Sequence, residues 1–237
     1  MPTHFPNGIS NQVKGNPLFN YPYMDPSKFY TYFNDFFTFH ADEWTITTVE
    51  GGSGNASEAL TSQAGGALLI TNDNADDDSD FFNLVGESFL WDSTKRMFFS
   101  AKFKVNDATQ SEFVMGLQIT DTTPLDGTDG IFFIKGDADT QPDFVLEKDN
   151  SSSLSVVEMD AISDDTFVTL SFEYDPLDVA TGGPVFRIYQ DNVQVGEVTS
   201  TDNAPDDEEL TVSFGIQNGE AVIKTMTIDF ILAAVER

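Results

Sequence analysis

Apolar residues recur at every second position over long stretches of this chain. Met97, Phe99, Ala101, Phe103 and Val105 are interleaved with Ser100, Lys102 and Lys104. Phe113, Met115, Leu117 and Ile119 repeat the pattern, as do Val168, Leu170, Phe172 and Tyr174. Period two is the signature of a strand with one buried and one wet face. Trp44 to Glu50 reads as a strand. Ala67 to Thr71, Gly130 to Lys135 and Phe144 to Lys148 read as shorter ones, and Gly51 to Ser57 and Asn72 to Asp80 as loops. Asp191-Asn192 between Val185–Tyr189 and Val193–Thr199 predicts a hairpin. Asn218-Gly219 between the alternating runs 210–217 and 221–235 predicts another, because tight hairpin turns need positive φ. Roughly a dozen strands and no helix of ten residues predict an all-β protein, a two-sheet antiparallel jelly-roll sandwich. Phe99, Phe103, Leu117, Phe172, Phe214 and Phe230 are its expected core.

The first 36 residues break this pattern. They hold five of the ten prolines and the aromatics Phe5, Phe19, Tyr21, Tyr23, Phe29, Tyr30, Tyr32, Phe33 and Phe36. Disordered tails are usually poor in aromatics and rich in charge, so residues 1–36 are expected to form an extended aromatic arm, with the sandwich domain spanning 37–237. Lys14 and Lys28 balance Asp25 and Asp35 within the arm. The whole formal net charge of −29 therefore falls on the body.

That charge opposes nucleic-acid binding, which needs cationic neutralisation of phosphates, and opposes anionic membranes. Neither partner is expected. Cysteine is absent, which removes disulfides, thiolate metal sites and cysteine nucleophiles. No apolar run approaches the length of a membrane helix. The N-terminus shows no secretory pattern, so an intracellular protein or export by another route is expected.

Candidate chemistry is sparse. The two histidines, His4 and His40, have no nucleophile motif beside them. Glycoside hydrolysis needs two carboxylates about 5–10 Å apart, and acids at i, i+2 and i+4 of one strand would supply them. Glu158-Met159-Asp160-Ala161-Ile162 offers only the first two, so no catalytic residue and no enzymatic activity are expected. Five acids in eight residues (Asp73, Asp76, Asp77, Asp78, Asp80) offer oxygens for structural calcium, though not in EF-hand order. For this loop the candidate ligands are Asp73, Asp76 and Asp78. A second calcium candidate joins Asp35 with Asp229.

Asn34-Asp35-Phe36 followed by Trp44-Thr45-Ile46-Thr47, the run Phe186 to Asn192 with Val195, and Met226 to Ile231 resemble concanavalin A-like (laminin G-like) sandwiches. Further segments resemble structural proteins of tailed bacteriophages with this fold. They are Tyr23-Met24-Asp25-Pro26, Gly65-Gly66-Ala67-Leu68-Leu69, Pro124-Leu125 with Thr128 to Phe133, Phe214 to Gly219 and the terminal Glu236-Arg237. The resemblance runs over nearly the whole chain and its motifs are structural. It implies a virion component, a capsid decoration or cement protein on the outer capsid surface, whose partners are the major capsid protein and other copies of itself. In that reading Phe5, Phe19, Tyr21, Tyr23, Phe29, Tyr30, Tyr32 and Phe33 bind the partner. The competing class is a sugar-binding module of a phage fibre or spike, with Trp91 as its aromatic platform.

Overall fold

The computed structural model describes residues 28–237, apart from 53, 152–154 and 179. Its strands run in chain order as β1 (Phe29–Asn34), β2 (Trp44–Val49), β3 (Ser57–Leu60), β4 (Leu68–Thr71), β5 (Ser79–Leu84), β6 (Met97–Val105), β7 (Ser111–Gln118) and β8 (Gly130–Lys135). They continue as β9 (Asp143–Glu147), β10 (Ser155–Glu158), β11 (Val168–Asp178), β12 (Gly183–Gln190), β13 (Val193–Val198), β14 (Thr211–Asn218) and β15 (Thr225–Glu236). Two 3-10 turns, Ala41–Glu43 and Pro124–Asp126, are the helical segments among the described residues.

The strands form two antiparallel sheets. One has the order β10-β9-β8-β7-β14-β5-β2; the other has β13-β12-β11-β6-β15-β4-β3, with β1 added beside β15. The alternation seen in sequence is the alternation of faces: Phe99, Phe103, Leu117, Phe172 and Phe214 are all fully buried between the sheets. Phe82 stacks on Phe214 at 4.8 Å between centroids, and Phe99 stacks on Phe172 at 5.7 Å. Each such ring removed from water contributes about 1.5–3 kcal/mol.

Phe230 departs from the expected core. The β15–β6 ladder shifts register between Ile228 and Phe230. The extra residue in this bulge, Asp229, keeps Ile228 and Ile231 inside and turns Phe230 to the outer face, where it meets Phe33 at 6.5 Å.

The two expected hairpins part ways. Asp191 and Asn192 both take positive φ, 50° and 65°, and Gln190 pairs with Val193 across them. Asn218-Gly219 is not a hairpin turn. It ends β14 in one sheet, and residues 219–224 cross to β15 in the other. The Asn218 side chain is committed elsewhere: buried, its Nδ2 donates to the carbonyls of Asp73 (2.7 Å) and Ala75 (2.9 Å).

The strap joins the sandwich earlier than residue 37. β1 and β4 lie end to end along one side of β15, pairing with Ile231–Glu236 and Thr225–Ile228 respectively. Phe36 is 1% exposed and packs edge-on to Phe214. Its positive φ of 46° turns the chain over Gly66, where a Cβ would lie 2.6 Å from the Phe36 carbonyl oxygen.

Candidate functional site

Two features stand out: the aromatic strap, and a cluster of carboxylates at one edge of the sandwich. Alternation along β1 divides its rings between two faces. Tyr30 and Tyr32 point inward, against Phe89 (5.7 Å) and Trp44 (6.0 Å). Phe29 packs on an outer cluster of Phe98, Leu232 and Ala234, and Phe33 is 60% exposed. Tyr30 and Tyr32 are thus occupied by their own sandwich. Phe5, Phe19, Tyr21 and Tyr23 lie outside the described residues. The strap begins at a pole of mixed charge: the Lys28 carbonyl accepts from the Arg237 amide (2.7 Å), and a groove there is lined by Lys95, Arg96, Asp175, Leu177, Glu236 and Arg237, with Arg96 paired to Asp175.

The carboxylate cluster is built from three segments. Thr48 on β2 faces Asp80 on β5. Glu50 lies two residues beyond Thr48 and Asp78 two before Asp80, so all four share the face that Phe82 continues into the core. Asp73 arrives from the loop between β4 and β5. Carboxylate oxygens of Glu50, Asp73 and Asp78 lie within 4.8 Å of one another. Asp78, wholly buried, accepts from the amides of Gly51 (2.5 Å) and Ala75 (2.9 Å). Glu50 Oε1 accepts from the Ala56 amide, and Asp80 Oδ1 from the Thr48 hydroxyl at 2.7 Å. Burial pushes the Asp80 carboxyl up to about 7. The Thr48 hydrogen bond works against this, while the neighbouring Glu58 and Glu50 add to it. Glu58 belongs to β3, opposite Ile70, and reaches the cluster from the other sheet.

The loop carrying Asp73 is held rigidly. Besides the Asn218 bonds, Asn72 Nδ2 donates to the carbonyls of Asp78 (2.9 Å) and Ile216 (3.1 Å). Asp73 sits against Gly54, where a Cβ would overlap its carboxylate.

The sequence-predicted residues fare unequally. Asp73 and Asp78 converge. Asp76 does not; it is exposed on the outer turn of the loop. Glu50, Glu58 and Asp80 join from other strands, and Asp80 was already legible as the last acid of the run. Asp229 is ion-paired with Lys102 Nζ at 2.5 Å, and both it and Asp35 border the Gly65-Gly66 turn. Trp91 is 4% exposed, wedged against Tyr174 (5.4 Å) and Phe186 (6.3 Å), and offers no open platform. A tryptophan beside a loop was buried by aromatic neighbours from β11 and β12. Glu158 and Asp160 are exposed, with Glu158 on the edge strand β10 accepting from Gln141 Nε2 (2.9 Å).

No known protein family matches the chain, and no curated protein does. Solved structures do. An endo-1,3-β-glucanase from Streptomyces sioyaensis is 13% identical, with a TM-score of 0.59 over 89% of this chain and 97% of the other. A protein of unknown function from Shewanella oneidensis is 16% identical, with a TM-score of 0.56 over 88% and 87%. The Emp46p carbohydrate recognition domain, in a potassium-bound form, is 13% identical, with a TM-score of 0.56 over 85% and 94%. Such identities establish the fold alone: it is the concanavalin A-like jelly roll of lectins and glucanases. The expectation that the chain is not an enzyme is thereby corrected. The same sandwich carries the glucanase and an endo-β-1,4-glucuronan lyase from Trichoderma reesei, so an incomplete strand motif in this sequence is no ground for excluding activity.

Proposed function

We propose that this chain is a virion structural protein of a tailed bacteriophage, a decoration protein on the outer capsid surface, held there through its N-terminal segment. One observation carries the reading. The neutral, aromatic N-terminal segment is tied by β1 to the last strand, leaving Phe33 exposed on an apolar outer strip of a body with net charge −29. Aromatic rings are enriched in interface cores, and an acidic body is repelled by packaged DNA and so faces outward. The phage-like segments from Tyr23-Met24-Asp25-Pro26 to Phe214–Gly219 support the same reading. Its partners are then the major capsid protein and other copies of this chain.

The likeness to lectin folds favours a second reading, a carbohydrate-binding module of a fibre or spike. Mass spectrometry of purified virions tests the first: the protein is expected at a copy number matching the capsid lattice. Its absence from heads, together with saturable binding on a glycan array, would favour the second.

A further inference from the structure

We propose that Glu50, Asp73 and Asp78 bind a calcium ion at the edge where the two sheets meet, with Asp80 and Glu58 as an anionic wall behind it. Glu50, just past β2, meets Asp73 and Asp78 of the β4–β5 loop there, bringing carboxylate oxygens within 4.8 Å of one another. Among the described residues no lysine or arginine forms an ion pair with any of the five acids, although ten ion-pair contacts occur elsewhere.

A second observation is independent of this convergence. Asp80 is wholly buried, no N–H or hydroxyl donor reaches its Oδ2, and its carboxyl lies within hydrogen-bonding reach of the Glu58 carboxylate; Glu50 Oε2 is likewise shut from solvent and unpartnered. Both oxygens belong to the face that carries Asp78, and Glu50 and Glu58 are the charges that Asp80 feels. Buried carboxylates persist when they are paired or coordinate a metal. Here the backbone donors of Gly51, Ala75 and Ala56 fix Asp78 and Glu50 in place, leaving the orphaned oxygens for a cation.

The donor set selects the ion. It is all oxygen, which favours hard cations over zinc or copper. It is irregular and anionic, which suits calcium, with its six to eight oxygens at about 2.3–2.6 Å, better than magnesium, which demands a near-octahedral shell and keeps its water. An ion here would clamp the end of β2 to the β4–β5 loop and, through Glu58, one sheet edge to the other.

The full chain, stripped with a chelator and held at about 0.15 M salt to screen surface charge, is titrated with calcium chloride by calorimetry and melted with and without the ion. One saturating site per chain and a Tm higher by several degrees are expected, since the ion binds the folded state alone. Glu50→Gln and Asp80→Asn should weaken binding by about tenfold or more and remove the calcium-dependent rise in Tm. Asp76→Asn, at an exposed acid of the same loop, should leave both unchanged. Because neutralising Asp80 relieves repulsion in the stripped protein, its variant should melt no lower than the stripped native chain. That keeps loss of binding distinct from loss of fold. No saturable calcium binding, equal effects of all three variants, or saturation by magnesium in preference to calcium would overturn the assignment.

Discussion

Single residues show most directly how tightly the sheets are fitted. Gly215 on β14 lies opposite Phe81 on β5, and a Cβ there would come within 2.4 Å of that ring. Gly116 on β7 lies opposite Phe132, and a Cβ there would come within 2.5 Å of the Phe132 Cα and Cβ. Phe81 and Phe132 pack together with Val114 and Val145 on the outer face of the first sheet. Gly215→Val should therefore cost about 1–3 kcal/mol through overpacking, read as a lower denaturation midpoint in urea; an unchanged midpoint would contradict the packing. Tyrosines give a second test. Burial pushes the Tyr32 and Tyr174 phenols up to about 12, opposed at Tyr32 by the Asn34 hydrogen bond and reinforced at Tyr174 by Asp92 and Asp175. Between pH 10 and 12 the folded chain holds protons the unfolded chain has released. The stability these groups give is complete below about pH 10 and is lost as pH rises through their folded values. Ultraviolet titration of phenolate should thus find a late-ionising fraction that appears together with alkaline unfolding, and ionisation of every tyrosine near pH 10 in a still-folded protein would contradict this.

The elements show what the sequence reveals and what it hides. Period two located β6, β7, β11 and β14 because the middle of each inner face is apolar. β5 was hidden at the end of an acidic run: its inward face carries Asp80 ahead of Phe82, with Asp78 buried just before the strand begins. The same alternation, followed from Thr48 to Glu50, is the signal that would have linked the acids of different strands. The bulge at Asp229 was invisible because one inserted residue shifts every later face while leaving local alternation intact. Two polar dipeptides between alternating runs looked alike. Asp191-Asn192 became a turn, whereas Asn218 became a buried anchor for the β4–β5 loop, and only tertiary partners distinguish the two. β1 illustrates the same limit, since aromatic composition marked the strap but could not say that Tyr30 and Tyr32 face inward. Removing residues 1–34 should leave those amides of Ile231–Val235 that face β1 without partners and speed their hydrogen exchange, whereas removing residues 1–27 should not. Phe36→Ala, in the core, should cost about 3–5 kcal/mol. Equal exchange in both truncations would show that β1 contributes nothing to the sheet.

At the scale of the whole molecule, a rigid sandwich carries the charge and a neutral aromatic segment joins it at one pole. The concanavalin A-like jelly roll fixes neither sugar binding nor catalysis, and its function rests on what is grafted onto it. Nine aromatics in residues 1–36 can each bury about 150–250 Å². Four of those rings are already spent on the sandwich itself, Tyr30, Tyr32 and Phe36 in the core and Phe29 on its outer cluster. The attachment account therefore depends on the segment before β1, together with the exposed Phe33. The most direct test is cosedimentation of the full chain and of residues 28–237 with capsids lacking the protein. The full chain should saturate the capsids, while the truncated protein, equally folded by circular dichroism, should stay in the supernatant. Undiminished decoration by residues 28–237 would contradict the account.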